Sequence, residues 1–196
     1  MKKIITVLLG ILLLSVLLGC TTTECDNMEL EQLKVDYVQL EKFYINYNKA
    51  LINHLTGINE REYGETNYAL WSLYYSDDYF VDSIPFCENA REYYSSSNTY
   101  HQTAIQYFEK AKKLTNSNDT ELIDTYIAFS SSSIDLNWAM YEACEYFESA
   151  ASNYAKGNIE IGNSELEKGN DRIAKHDSLI KQHNTYVAKI QVLEDG

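Results

Sequence analysis

The sequence predicts an all-α fold, an elongated antiparallel bundle of four to five long helices. Three observations carry that expectation. Apolar side chains recur at alternating spacings of three and four over most of the chain, the period of one helix face. Proline occurs once, at Pro85, and glycine only eight times in 196 residues, so the residues that punctuate short strands are scarce. The clearest turn, Thr115-Asn116-Ser117-Asn118-Asp119, stands between two such helical stretches.

The first helix is expected from Met28 to about Leu55, along Leu30, Leu33, Tyr37, Leu40, Tyr44, Tyr47 and Leu51 as one continuous buried stripe, with Gly57 as its stop. A second helical region begins near Asn59 and carries Tyr63, Leu70, Trp71, Tyr74 and Phe80. It meets Pro85, which lacks a donor and crowds the preceding turn, so the helix either kinks there or ends and restarts. The pattern resumes through Phe86, Ala90, Tyr94, Ala104, Phe108, Ala111 and Leu114.

Cap-forming residues crowd the 115–119 turn, and Glu121 suits the positive first turn of the helix that follows. That helix carries Ile123, Ile127, Ile134, Trp138, Tyr141, Phe147 and Tyr154. It includes Ser130 to Ser133, a poor helix-forming run that either loosens the helix or admits a close neighbour. Lys156-Gly157-Asn158 ends it. The last helix covers about Ile161 to Leu193, with Leu166, Ile173, Ile180 and Val187 at intervals of seven and Ile190 completing the stripe. Short connections favour antiparallel neighbours. The 17 tyrosines suit the rims of such seams, where an apolar ring ends in a hydroxyl that reaches water.

The chain opens MKKIITVLLGILLLSVLLGC. Lys2 and Lys3 precede an uncharged run from Ile4 to Leu18, shorter than the roughly 20 residues a spanning helix needs and suited to a signal segment. Leu17-Leu18-Gly19-Cys20 resembles the lipobox of prokaryotic lipoproteins. The resemblance implies cleavage before Cys20 and lipid on the Cys20 sulfur. It divides the chain into a cleaved signal peptide (1–19), a lipidated polar tether (20–26) and one helical-bundle domain (27–196). It also implies a place at the cell membrane or envelope, lipid-anchored and facing outside the cytoplasm; a diacylated cysteine supplies the two chains that stable anchoring takes.

Removing residues 1–19 deletes two of the 16 basic residues and none of the 29 acids, which leaves 14 minus 29, or −15. Such a charge repels phosphates and argues against nucleic-acid binding. The expected partners are the membrane, through the lipid, and a protein or cationic ligand drawn to the acidic body.

Residues 104–111 read AIQYFEKA and 143–150 read ACEYFESA. The A-x-x-x-F-x-x-A spacing resembles the second helix of a tetratricopeptide repeat, which would imply a fold of that kind in part. The first-helix positions of that family are absent, and the copies stand 39 residues apart rather than 34. Alternating small and aromatic residues also serve helix packing alone. Cys87 and Cys144 average to 115.5, near the centre of the 115–119 turn, so folding the flanking helices back brings them to one height. In an oxidising compartment, a Cys87–Cys144 disulfide is expected, with Cys25 left over.

No motif for catalysis stands out: there is no H-E-x-x-H, no G-x-x-x-x-G-K, no C-x-x-C and no Glu-x-x-His. The expectation is a protein that is not an enzyme, carries no cofactor and holds no metal. His54, His176 and His183 lie on seam faces and are the candidates a metal site would draw on, but no close ligand pair stands on one helix. His101 has no evident partner. Asn118-Asp119-Thr120 is a formal N-glycosylation sequon. Together these features predict a lipid-anchored interaction or scaffold module. The alternative is a small-molecule or metal-binding lipoprotein with a Tyr- and His-lined pocket between helices.

Overall fold

The structure, a computed structural model, describes residues 25–115 and 117–195, with side chains from residue 31 onward apart from 117 and 118. The expected leader, Cys20 and the side chains of Cys25 and Asn118 lie outside the described residues. The described residues form an all-α bundle of four helices: α1 (Cys25–Ser76), α2 (Phe80–Lys112), α3 (Ser117–Ala155) and α4 (Ile159–Asp195). No strand occurs among the described residues. α1 begins at Cys25, so the last two positions of the expected tether are helical.

The chain divides into two units at Gln39 and Leu40. In the first, residues 31–39 of α1 are exposed throughout, and Gln32 Nε2 donates to Asp36 Oδ1 at 2.9 Å, one turn along. The second holds the remainder of α1 and the other three helices.

Within the second unit, consecutive helices run antiparallel. Arg91 pairs with Glu148 near one end of the α2–α3 seam and Lys112 with Asp124 near the other. Arg172–Glu142 and Lys189–Glu121 do the same for α3 and α4. α1 lies antiparallel to α2 and alongside α3, with Tyr47 against Tyr126 and Trp71 stacked on Phe147 at 4.3 Å.

The core has two apolar clusters. One gathers Phe43, Ala50, Phe108, Ile123, Phe129 and Ile190; the other gathers Trp71, Cys87, Tyr94, Met140 and Phe147. The AIQYFEKA and ACEYFESA segments supply Ala104 and Phe108 to the first cluster and Ala143 and Phe147 to the second. They therefore sit on the two antiparallel helices of one hairpin, not on the equivalent helices of successive repeats. Their likeness reflects a shared packing demand, small against large, as the packing reading of these segments expects.

Two expectations for the helix ends are also corrected. Gly57 does not stop a helix: α1 runs through it to Ser76. Nor does Pro85 mark the break, since it sits in the second turn of α2, where the helix continues past its missing donor. The break falls at Asp77–Tyr79. Asp78 takes φ +65°, its N–H donates to the Tyr75 carbonyl at 3.2 Å, and the Tyr79 N–H donates to the Tyr74 carbonyl at 3.0 Å. This is a Schellman cap with aspartate where glycine usually stands. Gly157, at φ +79°, ends α3 by the same pair of bonds, to Tyr154 and from Asn158 to Asn153.

The buried face of α1 is the last correction. Phe43, Ala50, Gly57, Gly64 and Trp71, seven apart, face the interior. Of the expected stripe, Leu33 and Tyr37 in the first unit, and Leu40 and Tyr44 in the second, are exposed, while Tyr47 and Leu51 pack against the first cluster. Small residues decide this register. A β-carbon on Gly64 would come within 2.8 Å of the Tyr94 ring, so that ring lies directly on the α1 backbone.

Candidate functional site

Between the two apolar clusters lies a polar layer to which all four helices contribute. α1 supplies His54 and Arg61, α2 supplies Ser97, Asn98 and His101, α3 supplies Ser130, Ser132, Ser133 and Asn137, and α4 supplies His183. His101 and Asn137 have no exposed surface, and His54 and His183 are 3% and 5% exposed.

The hydrogen bonds fix how the layer is held. Ser97 Oγ donates to the Gly57 carbonyl at 2.6 Å, and Asn137 Nδ2 donates to Ser97 Oγ at 2.8 Å and to Asn98 Oδ1 at 3.0 Å. Ser130 Oγ lies 2.9 Å from His54 Nδ1. Ser132 Oγ donates to the Phe129 carbonyl at 2.8 Å, which leaves it to accept from His183 Nδ1 at 2.9 Å. The other ring nitrogen of His183, Nε2, is then an acceptor, and it faces an Arg61 N–H at 3.5 Å. His183 is a neutral imidazole in this arrangement, because a second ring proton would point at the guanidinium.

Burial is the main force on all three rings. It pushes His54 down to about 4, helped by the nearby His183 and Arg61. It pushes His101 down to about 3, helped by His54 and Arg61, and His183 down to about 4, helped by Arg61 and His176. His54 and His101 meet edge to face at 5.2 Å, and His183 stacks on Phe129 at 4.4 Å. Both nitrogens of His101, Asn98 Nδ2 and Asn137 Oδ1 are buried without a hydrogen-bond partner.

Of the sequence-predicted candidates, the structure brings His54 and His183 into this layer and leaves His176 outside it, beside Asp177 at 3.4 Å. The third histidine of the layer is His101, which the sequence had left without a partner. Among the described residues no three His, Cys, Asp or Glu side chains stand together as metal ligands. Ser130 with His54 and Ser132 with His183 are hydroxyl–imidazole pairs; Ser130 is fully buried, while His54 reaches the surface at 3% exposure. The serine run does not loosen α3. It turns its hydroxyls toward the histidines and back onto the helix. A legible signal for this layer existed: Asn98 and Asn137 fall on core positions of their helices, where a polar residue demands a partner.

Cys87 and Cys144, the pair expected to bridge, stand here as two unbridged thiols. They share the second cluster and are fully buried.

On the surface, the aliphatic residues of α1 that the bundle does not use include Ile52 and Leu55, 64% and 58% exposed. Leu55 borders an open groove of about 330 Å3 between α1, α3 and α4, lined by Leu51, Phe129, Val187 and Ile190, with His54 and Tyr126 also in its lining. The fold and site define an all-α bundle with a histidine layer inside and an apolar groove outside. Among known proteins no family, curated protein or solved structure matches this chain.

Proposed function

We propose that this chain is a lipid-anchored, extracytoplasmic interaction module that binds a protein partner through the uncovered face of α1. The leader ending in Leu17-Leu18-Gly19-Cys20 supports the anchor. No helix among the described residues is long and apolar enough to cross a membrane, and a lipid would hold such a body in place. The observation that carries the reading is an open apolar groove bordered by Leu55, with Ile52 exposed three residues before it on α1. With a net charge of −13, the chain suits an amphipathic helix that carries basic side chains beside its apolar stripe.

A photocrosslinking residue at position 52, in the native membrane, tests this. A single discrete adduct is expected, lost in Leu55→Glu and weakened by salt; labelling of nothing but lipid sinks the reading. Mass analysis of the mature N-terminus tests the anchor separately. A second reading, a small apolar ligand in the same groove, is favoured by the presence of His54 and Tyr126 in its lining. An environment-sensitive apolar dye that binds wild type and not Leu55→Glu would favour it.

A further inference from the structure

We propose that Cys87 and Cys144 form a disulfide only while the chain is folding, and that packing of the bundle then seals whichever redox state was reached. The biological setting rests on the extracytoplasmic reading above; the chemistry does not.

Three observations carry this. The two thiols belong to one cluster and come from adjacent antiparallel helices, Cys87 from α2 and Cys144 from α3. Neither has any exposed surface. Part of the cover comes from other helices: α1 adds Trp71 to the cluster, stacked on Phe147, and α4 packs Leu166 and Ile173 against it. A hairpin of α2 and α3 alone therefore leaves the thiols more open, and docking of α1 and α4 closes them in.

The bridge needs an oxidant, here a disulfide R–S–S–R such as that of a compartment's thiol oxidoreductase or oxidised glutathione. The Cys87 thiolate attacks one sulfur and releases RS⁻. The Cys144 thiolate then attacks the Cys87 sulfur and releases the second. Two protein thiols are oxidised, one R–S–S–R is reduced to two RSH, and the two protein protons end on the RSH. Both steps need a thiolate and room for R. Burial pushes the Cys87 thiol far up, so the packed bundle offers neither.

The full chain, reduced, is incubated with oxidised glutathione in two ways: folded, and during dilution from urea. Alkylation and peptide mapping then locate each cysteine. Refolding is expected to give the 87–144 bridge, and the folded sample to keep both thiols unalkylated and unbridged for at least ten times as long. Trp71→Ala is expected to shorten that interval severalfold. Should that variant not fold, sub-denaturing urea on wild type serves instead, and the interval is expected to fall as urea rises. The proposal is overturned if refolding leaves both cysteines free, if the bridge maps to Cys20 or Cys25, or if folded and refolding samples oxidise at the same rate. Loss of the lipid-anchor reading would show instead as an unmodified Cys20, a separate result.

Discussion

The ring of His101 lies where a β-carbon on Gly57 would come within 2.9 Å of its Nε2. The consecutive helices α1 and α2 touch there through backbone and ring. The contact sets how close α1 comes to the histidine layer, and Ser97 secures it by donating to the Gly57 carbonyl.

Gly57→Ala should therefore destabilise the protein, although alanine favours a helix by about 1 kcal/mol. His101 is fully buried and has nowhere to turn. Overpacking of this kind costs about 1–3 kcal/mol, so the net loss should be about 0–2 kcal/mol. Urea unfolding measures it. A clear gain in stability would show that the ring can yield.

Stability should fall on mild acidification. An unfolded histidine takes up its proton near pH 6.5, while His54, His101 and His183 resist it down to about 4, 3 and 4. Between those limits the unfolded chain binds more protons, so stability rises with pH, is full above about 6.5 and is lost as pH falls toward the folded values. Each such histidine contributes up to about 1.4 kcal/mol per pH unit in that window. His101→Leu should make the slope between pH 6.5 and 4 shallower than wild type; an unchanged slope would remove His101 from the titrating set.

Asp78→Gly should stabilise. Its φ of +65° is left-handed, which costs an ordinary L-residue roughly 1–2 kcal/mol and aspartate less, so a gain of up to about 1 kcal/mol is expected. Thermal unfolding checks it. A loss would mean that the Asp78 carboxylate stabilises the cap by more than its backbone strain.

The two ion pairs of the α2–α3 seam should differ. Lys112–Asp124, with side chains 41% and 48% exposed, should show a coupling below about 1 kcal/mol in a double-mutant cycle. Arg91–Glu148 is 25% and 28% exposed at 2.7 Å, and Arg91 also donates to the Tyr141 hydroxyl at 3.2 Å; its coupling should exceed the first, at about 1–2 kcal/mol. Equal couplings would show that burial does not separate them.

Sequence alone determined the helical class and the Gly157 cap. Each depends on residues close in the chain: a periodic apolar face, or a glycine free to take positive φ. It also brought Cys87 and Cys144 level, because a turn fixes the register of the helices it joins. The tertiary structure decided the rest. Whether Gly57 stops a helix or receives a ring depends on His101, far away in the chain, and so does the face α1 buries. Asp78 ends α1 because the bundle tolerates a left-handed aspartate there, which local propensity does not foresee. The histidine layer is invisible to periodicity, since His54, His101 and His183 come from three helices and meet only once packing has chosen which sides of those helices face inward.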